Sequence, residues 1–143
     1  MVINWFEKHN KISWIIVILI AIIIYYVSSL SFPPGKVTFP WKSIAYHFYS
    51  FFFLSAFLLI STTKGENKKL ILITIILALI YAISDEIHQL FVPTRSFAIS
   101  DILTDSAGIL SATLIYVGIR FKEFRGKGKK NKVGKHERDK IYS

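Results

Sequence analysis

The amino-acid sequence predicts an all-α membrane protein with four transmembrane helices joined by short loops. Three observations support this fold class. Hydrophobic residues make up 52% of the 143 residues. They are grouped in blocks of about 20 residues, which is the length that an α-helix needs to cross roughly 30 Å of hydrocarbon. Short polar segments separate these blocks, whereas a soluble domain distributes its apolar residues along the whole chain.

The first span covers residues 12–30 and reads ISWIIVILIAIIIYYVSSL. Lysines precede it, and the segment SFPPGK follows it and ends the helix, because proline cannot continue one. A cleaved signal peptide is the alternative interpretation, since Ser29 and Ser31 weakly resemble a cleavage site. The length of the apolar stretch and the two tyrosines near its end favour a membrane span.

The other three spans follow the same logic. The second covers residues 43–62 and begins with the aromatic run YHFYSFFF, which is typical of a helix entering the headgroup region. The third begins near Leu70, is apolar to Ile83 and continues as SDEIHQLFV until Pro93 ends it. The fourth covers residues 100–119.

Basic residues predict the orientation of the chain. The amino end, the loop at residues 63–69 and the carboxyl-terminal tail are rich in lysine. The other two loops contain only three basic residues, Lys36, Lys42 and Arg95. Because Lys and Arg accumulate on the cytoplasmic side, we expect a multi-pass protein of the cell membrane with both termini in the cytoplasm.

The tail differs in composition from the rest of the chain, so we divide the sequence into a transmembrane domain, residues 1–120, and a basic cytoplasmic tail, residues 121–143. From Arg120 onward the chain has ten Lys or Arg residues and three Asp or Glu residues, which account for most of the net charge of +9. Such a composition predicts disorder and adhesion to anionic membrane lipids. We expect no nucleic-acid partner.

Polar residues are concentrated at the predicted outer ends of the last three spans. Four of the nine acidic residues lie between residues 84 and 108. Ionisable groups within spans are costly and usually face a protein interior, so we expect a polar pocket that opens to the outer leaflet. Its predicted members are Lys42, His47, Asp85, Glu86, His88, Gln89, Arg95, Asp101 and Asp105.

Small residues share faces with these polar groups. Ala78 and Ala82 lie on the same stripe as Asp85, and Gly108 and Ala112 on the same stripe as Asp105. Small residues four apart let helix backbones approach closely in lipid, so we expect the third and fourth spans to pack as an antiparallel pair. The same faces could equally pack one chain against another in an oligomer.

The same polar residues also have a purely structural interpretation. Asp101 and Asp105 lie in the first turn of a helix, where carboxylates interact favourably with the helix dipole. His47 could be a hydrogen-bonded packing residue. Two interactions are open for the guanidinium of Arg95. It could form an ion pair with Asp101 or Glu86 that fixes the loop, or it could contact an anionic lipid headgroup.

We expect no metal and no cofactor. His47 and His88 with the nearby carboxylates could supply nitrogen and oxygen ligands, but DEIHQ lacks the paired histidines of a zinc protease. The chain has no cysteine, which excludes disulfides and zinc-thiolate sites. Neither a G-x-S-x-G elbow nor a glycine-rich phosphate loop is present, so no catalytic residue is assigned.

The segment SDEIHQLFVPTRSFAISDILTDSAGIL resembles the signature of the VanZ-like family of small bacterial membrane proteins. That signature has D-E-x-H-Q, then P-G-R, then an Asp followed seven residues later by Gly, and Lys42 and His47 align with a Lys and a His of the family. The chain departs from the pattern at four positions: Trp41, Thr94 in place of the glycine of P-G-R, Asp105 and Ala112.

The resemblance implies a role in the cell envelope, because the founding member of the family is associated with reduced susceptibility to the glycopeptide teicoplanin. The implied partners are membrane lipids and a lipid-linked envelope precursor or a lipoglycopeptide. Two alternatives remain open: a membrane-embedded enzyme with a carboxylate or His47 as general base, and a proton-coupled transporter, which would require a dimer. Neither catalysis nor oligomeric state is decided.

The predicted orientation is tested by fusing a fluorescent reporter that is inactive in the periplasm to the carboxyl terminus. We expect a bright fusion, because both termini are predicted to be cytoplasmic. A fusion in the loop after Pro93 serves as the dark control. A dark carboxyl-terminal fusion would overturn the orientation.

Overall fold

The computed structural model describes residues 2–31, 40–64 and 69–141, and it gives only the backbone for Pro40 and for residues 121–141. Every regular element in these ranges is an α-helix. In chain order the helices are α1 (Val2–Lys8), α2 (Asn10–Ser28), α3 (Pro40–Thr63), α4 (Lys69–Gln89) and α5 (Ile99–Ile141). Contacts divide the chain into two compact units, Met1–Thr113 and Leu114–Ser143.

Four helical segments are long and apolar enough to cross a membrane. They are Asn10–Ser28, Trp41–Thr63, Lys69–Gln89 and Ile99–Arg120. The prediction of an all-α protein with four spans is therefore confirmed, and the predicted ends differ from these by a few residues. The cytoplasmic position of the termini stays a prediction, and two of the loop lysines on which it rests, Lys36 and Lys68, lie outside the described residues.

The outward faces of the spans are strongly apolar. Ile18, Ile22, Ile80 and Leu103 each expose more than half of their surface. In water such a surface would favour aggregation, but in the hydrocarbon of a bilayer these side chains meet a solvent as apolar as themselves. The exposed faces are thus suited to contact lipid.

The apolar core of the first unit is small and is built from four helices. Val17 of α2, Phe51 and Leu54 of α3, Ala82 of α4 and Ile109 of α5 belong to it. Ala78 and Ala82 are fully buried. Because the alanine side chain is short, α4 can approach its neighbours closely along this stripe.

Helix α5 approaches the backbone of α3 at Gly108. A Cβ atom added to Gly108 would lie 2.4 Å from the carbonyl oxygen of Phe48 and 3.1 Å from the amide nitrogen of Phe52. Both neighbours are backbone atoms, so they cannot rotate away. The sequence predicted that Gly108 packs against the third span, which is α4. In the structure the backbone of α3, the second span, lies against Gly108.

A short helix that the sequence did not predict precedes the first span. Helix α1 packs against the rest of the first unit: Ser13 Oγ donates a hydrogen bond of 2.8 Å to the carbonyl of Phe6, and the rings of Phe6 and Phe57 meet edge to face at 5.3 Å. Its seven residues are too few to show a helical period. Tertiary contacts of this kind are what stabilise so short a helix.

The tail differs from the sequence-based expectation of disorder. Helix α5 continues as far as Ile141. Lys, Arg and Glu are good helix formers, and extending an existing helix costs far less than nucleating a new one. The low apolar content of the tail therefore did not predict its backbone conformation. Within the second unit, the guanidinium of Arg120 lies 5.7 Å from the centre of the Tyr116 ring.

We expect the substitution Gly108→Ala to destabilise the protein by about 1–3 kcal/mol, because the new methyl group would force α5 away from α3. Gly118→Ala is the matched control, since a Cβ atom there meets nothing within 4 Å. Thermal unfolding of both variants in the same detergent measures the difference. Equal melting temperatures for the two variants would contradict close packing at Gly108.

Candidate functional site

Polar side chains from several helices meet at one end of the first unit. The chain passes this end four times, where α2 and α4 end and where α3 and α5 begin. Contacts across the end join Ser28 to Asp85, His47 to Asp105, and Glu86 to the backbone of Ala98. We call the six predicted site residues found here the polar cluster: His47, Asp85, Glu86, Gln89, Asp101 and Asp105.

An imidazole held between two carboxylates forms the first part of the polar cluster. His47 Nδ1 and Asp105 Oδ1 share a hydrogen bond of 3.0 Å, and both residues are buried. On the other side of the ring, His47 Nε2 lies 3.5 Å from Asp101 Oδ2. Asp101 and Asp105 are four residues apart on α5, so their carboxylates lie on the same face and can flank one side chain.

A chain of hydrogen bonds forms the second part of the polar cluster. Glu86 Oε2 accepts from the amide of Ala98 at 3.0 Å, and Glu86 Oε1 accepts from Gln89 Nε2 at 3.0 Å. Gln89 Nε2 also donates to Asp85 Oδ2 at 3.2 Å, and that oxygen accepts from Ser28 Oγ at 2.8 Å. Glu86 thus satisfies an amide group that helix α5 leaves free at its start.

The two parts of the polar cluster meet at three buried residues. His47, Glu86 and Asp105 each offer one atom that could ligate a metal, and the three atoms lie within 4.8 Å of one another. These residues come from α3, α4 and α5. Among the described residues, no hydrogen-bond donor reaches Asp105 Oδ2, which is buried.

Arg95 has contacts that the sequence did not predict. Its Nε donates to the carbonyl of Leu30 and its Nη2 to the carbonyl of Val27, each at 3.2 Å. Val27 lies in the last turn of α2 and Leu30 follows the helix. Carbonyl groups at the carboxyl end of a helix carry partial negative charge, so an arginine is well suited to them. The side chain therefore fixes the loop to the end of α2. An ion pair with Asp101 or Glu86, or a contact with a lipid headgroup, stays a prediction.

The loop that presents Arg95 has an unusual backbone conformation. Thr94 has a φ of 69°, in the left-handed region that a β-branched residue rarely adopts. In the signature P-G-R this position is a glycine, which adopts that conformation without strain. Thr94 therefore adopts this conformation at a cost in backbone energy.

Two of the predicted pocket residues contact other groups. His88 stacks on the ring of Tyr25 at 4.6 Å, and its Nε2 shares a hydrogen bond of 2.9 Å with Ser29 Oγ. Lys42 is exposed, and its Nζ lies 5.7 Å from the centre of the Trp41 ring. These two residues lie outside the polar cluster as defined.

The sequence did not predict that residues of α2 contact the site. Tyr25, Ser28 and Ser29, as well as the last carbonyls of that helix, contact predicted site residues. A signal was available, because Ser28 and Ser29 are the polar pair that ends the otherwise apolar first span. The predicted topology places that pair at the same level as Asp85.

We expect Thr94→Gly to stabilise the protein by up to about 1 kcal/mol. A threonine in the left-handed conformation is strained by about 1–2 kcal/mol, and losing this strain outweighs the entropic cost of ordering a glycine. Ser96→Gly is the control, since positive φ values among the described non-glycine residues occur at Lys64 and Thr94 only. Thermal unfolding of both variants tests this. If the melting temperature of Thr94→Gly is no higher than that of Ser96→Gly, the backbone at Thr94 is not strained.

Comparison with known proteins bears on the identity of the chain. The family model described as VanZ/LLP1 matches residues 4–121, which cover most of the chain and all of the polar cluster. No curated protein and no solved structure matches the chain. The resemblance seen in the segment from Ser84 to Gly108 thus extends over the four spans, and the chain belongs to the VanZ-like family.

Proposed function

We propose that this protein acts in the bacterial cell membrane on an amphiphilic molecule of the cell envelope, and that it thereby lowers susceptibility to lipophilic glycopeptides such as teicoplanin. Membership of the VanZ-like family supports a role in the envelope, because antibiotic resistance is associated with that family. The polar cluster carries the proposal within this chain.

The polar cluster is costly for a protein that only has to fold in a membrane. It places three carboxylates, those of Asp85, Glu86 and Asp105, almost completely out of contact with solvent. Replacing buried ionic groups by apolar groups of similar volume is often neutral or stabilising, so helix packing alone does not require them. Ionisable groups inside membrane spans usually serve a function, which supports a binding role here.

The surroundings of the polar cluster favour an amphiphilic ligand. Asp101 is the accessible member, with 21% of its side chain exposed, and Arg95 is half-buried beside the same end of the helices. Apolar faces of the spans begin within one or two turns of these groups, for example at Leu103. A ligand with a polar head and a fatty chain, such as teicoplanin or a lipid-linked precursor, could engage both kinds of surface. The predicted orientation would put this end at the outer leaflet.

One observation favours an enzyme as the second candidate. The pair formed by His47 and Asp105 has the arrangement of a general base and the carboxylate that orients it. In an enzyme, a proton would pass to His47 Nε2 from a substrate group that lies on the side of Asp101. Asp105→Asn would then remove nearly all activity, whereas a binding protein would lose part of it.

The proposal is tested by growth inhibition in a susceptible host that expresses the native chain or single variants. We expect the native chain to raise the inhibitory concentration of teicoplanin at least several-fold, and Glu86→Gln and Asp101→Asn to remove that protection, because both variants alter the charge of the polar cluster. Vancomycin, which is less lipophilic, should show a smaller effect.

The matched control is Glu7→Gln, the same chemical change on α1. The ring of Phe6, its neighbour, contacts Phe57 on the second half of α3, away from the polar cluster. Membrane abundance is compared by immunoblot. A native chain without protection would refute a role in glycopeptide resistance, and equal protection from Glu86→Gln and Asp101→Asn would refute the assignment to the polar cluster.

A further inference from the structure

We propose that His47, Glu86 and Asp105 form a binding site for one divalent transition-metal ion, with Zn²⁺ or Mn²⁺ as the ion that fits best. The three residues come from α3, α4 and α5 and are 2%, 0% and 0% exposed. This inference goes beyond the proposed function and does not depend on it. It also departs from the expectation, drawn from the sequence, that the chain has no metal.

The distances between the three residues suit a common ion. Two atoms that each lie about 2.0–2.2 Å from one ion are about 3 to 3.6 Å apart at octahedral or tetrahedral angles. His47 Nδ1 and Asp105 Oδ1 are 3.0 Å apart, and the candidate ligand atoms of all three residues lie within 4.8 Å of one another. Small side-chain rotations would bring the third atom into the same range.

An orphaned oxygen is the independent observation that points to a ligand. Asp105 Oδ2 is buried and has no hydrogen-bond partner within the described part of the chain. Buried carboxylates in proteins are almost always paired, hydrogen-bonded or bound to a metal, because leaving one unsatisfied is costly. A cation bound beside Asp105 would satisfy this oxygen.

The balance of charge supports the same conclusion. The polar cluster combines four carboxyl groups with one imidazole. Hydrogen bonds satisfy Glu86 and Asp85 in part. A divalent cation would offset the negative charge of the carboxylates that bind it inside an apolar bundle.

The donor set indicates the class of ion. One imidazole nitrogen and two carboxylate oxygens suit Zn²⁺ and Mn²⁺, whereas Mg²⁺ and Ca²⁺ prefer oxygen ligands alone. A thiolate site is excluded because the chain has no cysteine. Three protein ligands would leave coordination positions for water or for a ligand group. The surrounding hydrogen bonds, such as that from Gln89 to Glu86, would orient the ligands.

The experiment is equilibrium dialysis of the full chain in detergent against Zn²⁺ and, separately, against Mn²⁺, with the bound metal determined by mass spectrometry. We expect about one ion per chain for the native protein. His47→Gln and Asp105→Asn should lower the affinity at least about 10-fold, since each replaces a strong direct ligand by a neutral amide, which binds a metal more weakly. His88→Gln is the matched control, because His88 is bonded to Ser29 and lies outside the three residues.

Two results would overturn the site: a native chain that retains neither ion, and variants at His47 and Asp105 that bind as tightly as the native chain. Should those variants fail to fold, thermal unfolding of the native chain decides. A bound ion stabilises the folded state, so the melting temperature should rise with Zn²⁺ or Mn²⁺ and fall again with a chelator. A melting temperature that neither ion changes would refute the proposal.

Discussion

Inside an apolar helix bundle, a hydroxyl can donate to a carbonyl of its own helix, as Thr113 does to Ile109. A carboxylate has no free backbone amide in the interior of its own helix, so its donor must come from another side chain or from a neighbouring helix. This constraint governs one end of the first unit. Asp85 of α4 accepts from Ser28 of α2, Glu86 accepts from the start of α5, and His47 of α3 meets Asp105. Each contact fixes the rotation and the height of one helix relative to another, which purely apolar faces specify poorly.

Close backbone packing and the polar contacts support each other. Gly108 follows Asp105 by three residues, and Phe48, whose carbonyl lies against Gly108, follows His47 directly. The approach of α5 to α3 therefore brings the carboxylate to the imidazole. In lipid, helices associate through packing and hydrogen bonds, since apolar surface gains nothing by leaving a medium that is itself apolar. The same contacts that form the polar cluster thus hold α3 and α5 together.

The sequence predicted the four spans well because the signal is local: a block of about 20 apolar residues is a span whatever surrounds it. It also predicted that polar residues of the last three spans lie at one level, since topology alone determines height. It could not predict that Arg95 contacts the backbone carbonyls of Val27 and Leu30. Every residue has such a carbonyl, so the pattern of side chains does not indicate which ones an arginine will contact. The contact of Gly108 with α3 and the short helix α1 likewise depend on tertiary packing, which a helical face does not specify.

The contact between His47 and Asp105 joins α3 to α5. A double-mutant cycle measures it most directly: the free energy of unfolding of the native chain, His47→Ala, Asp105→Ala and the double variant, determined in one detergent with a chelator present so that no metal contributes. We expect a coupling free energy of about 0.5 to 2 kcal/mol between the two residues. Additive effects, with a coupling of about zero, would contradict it.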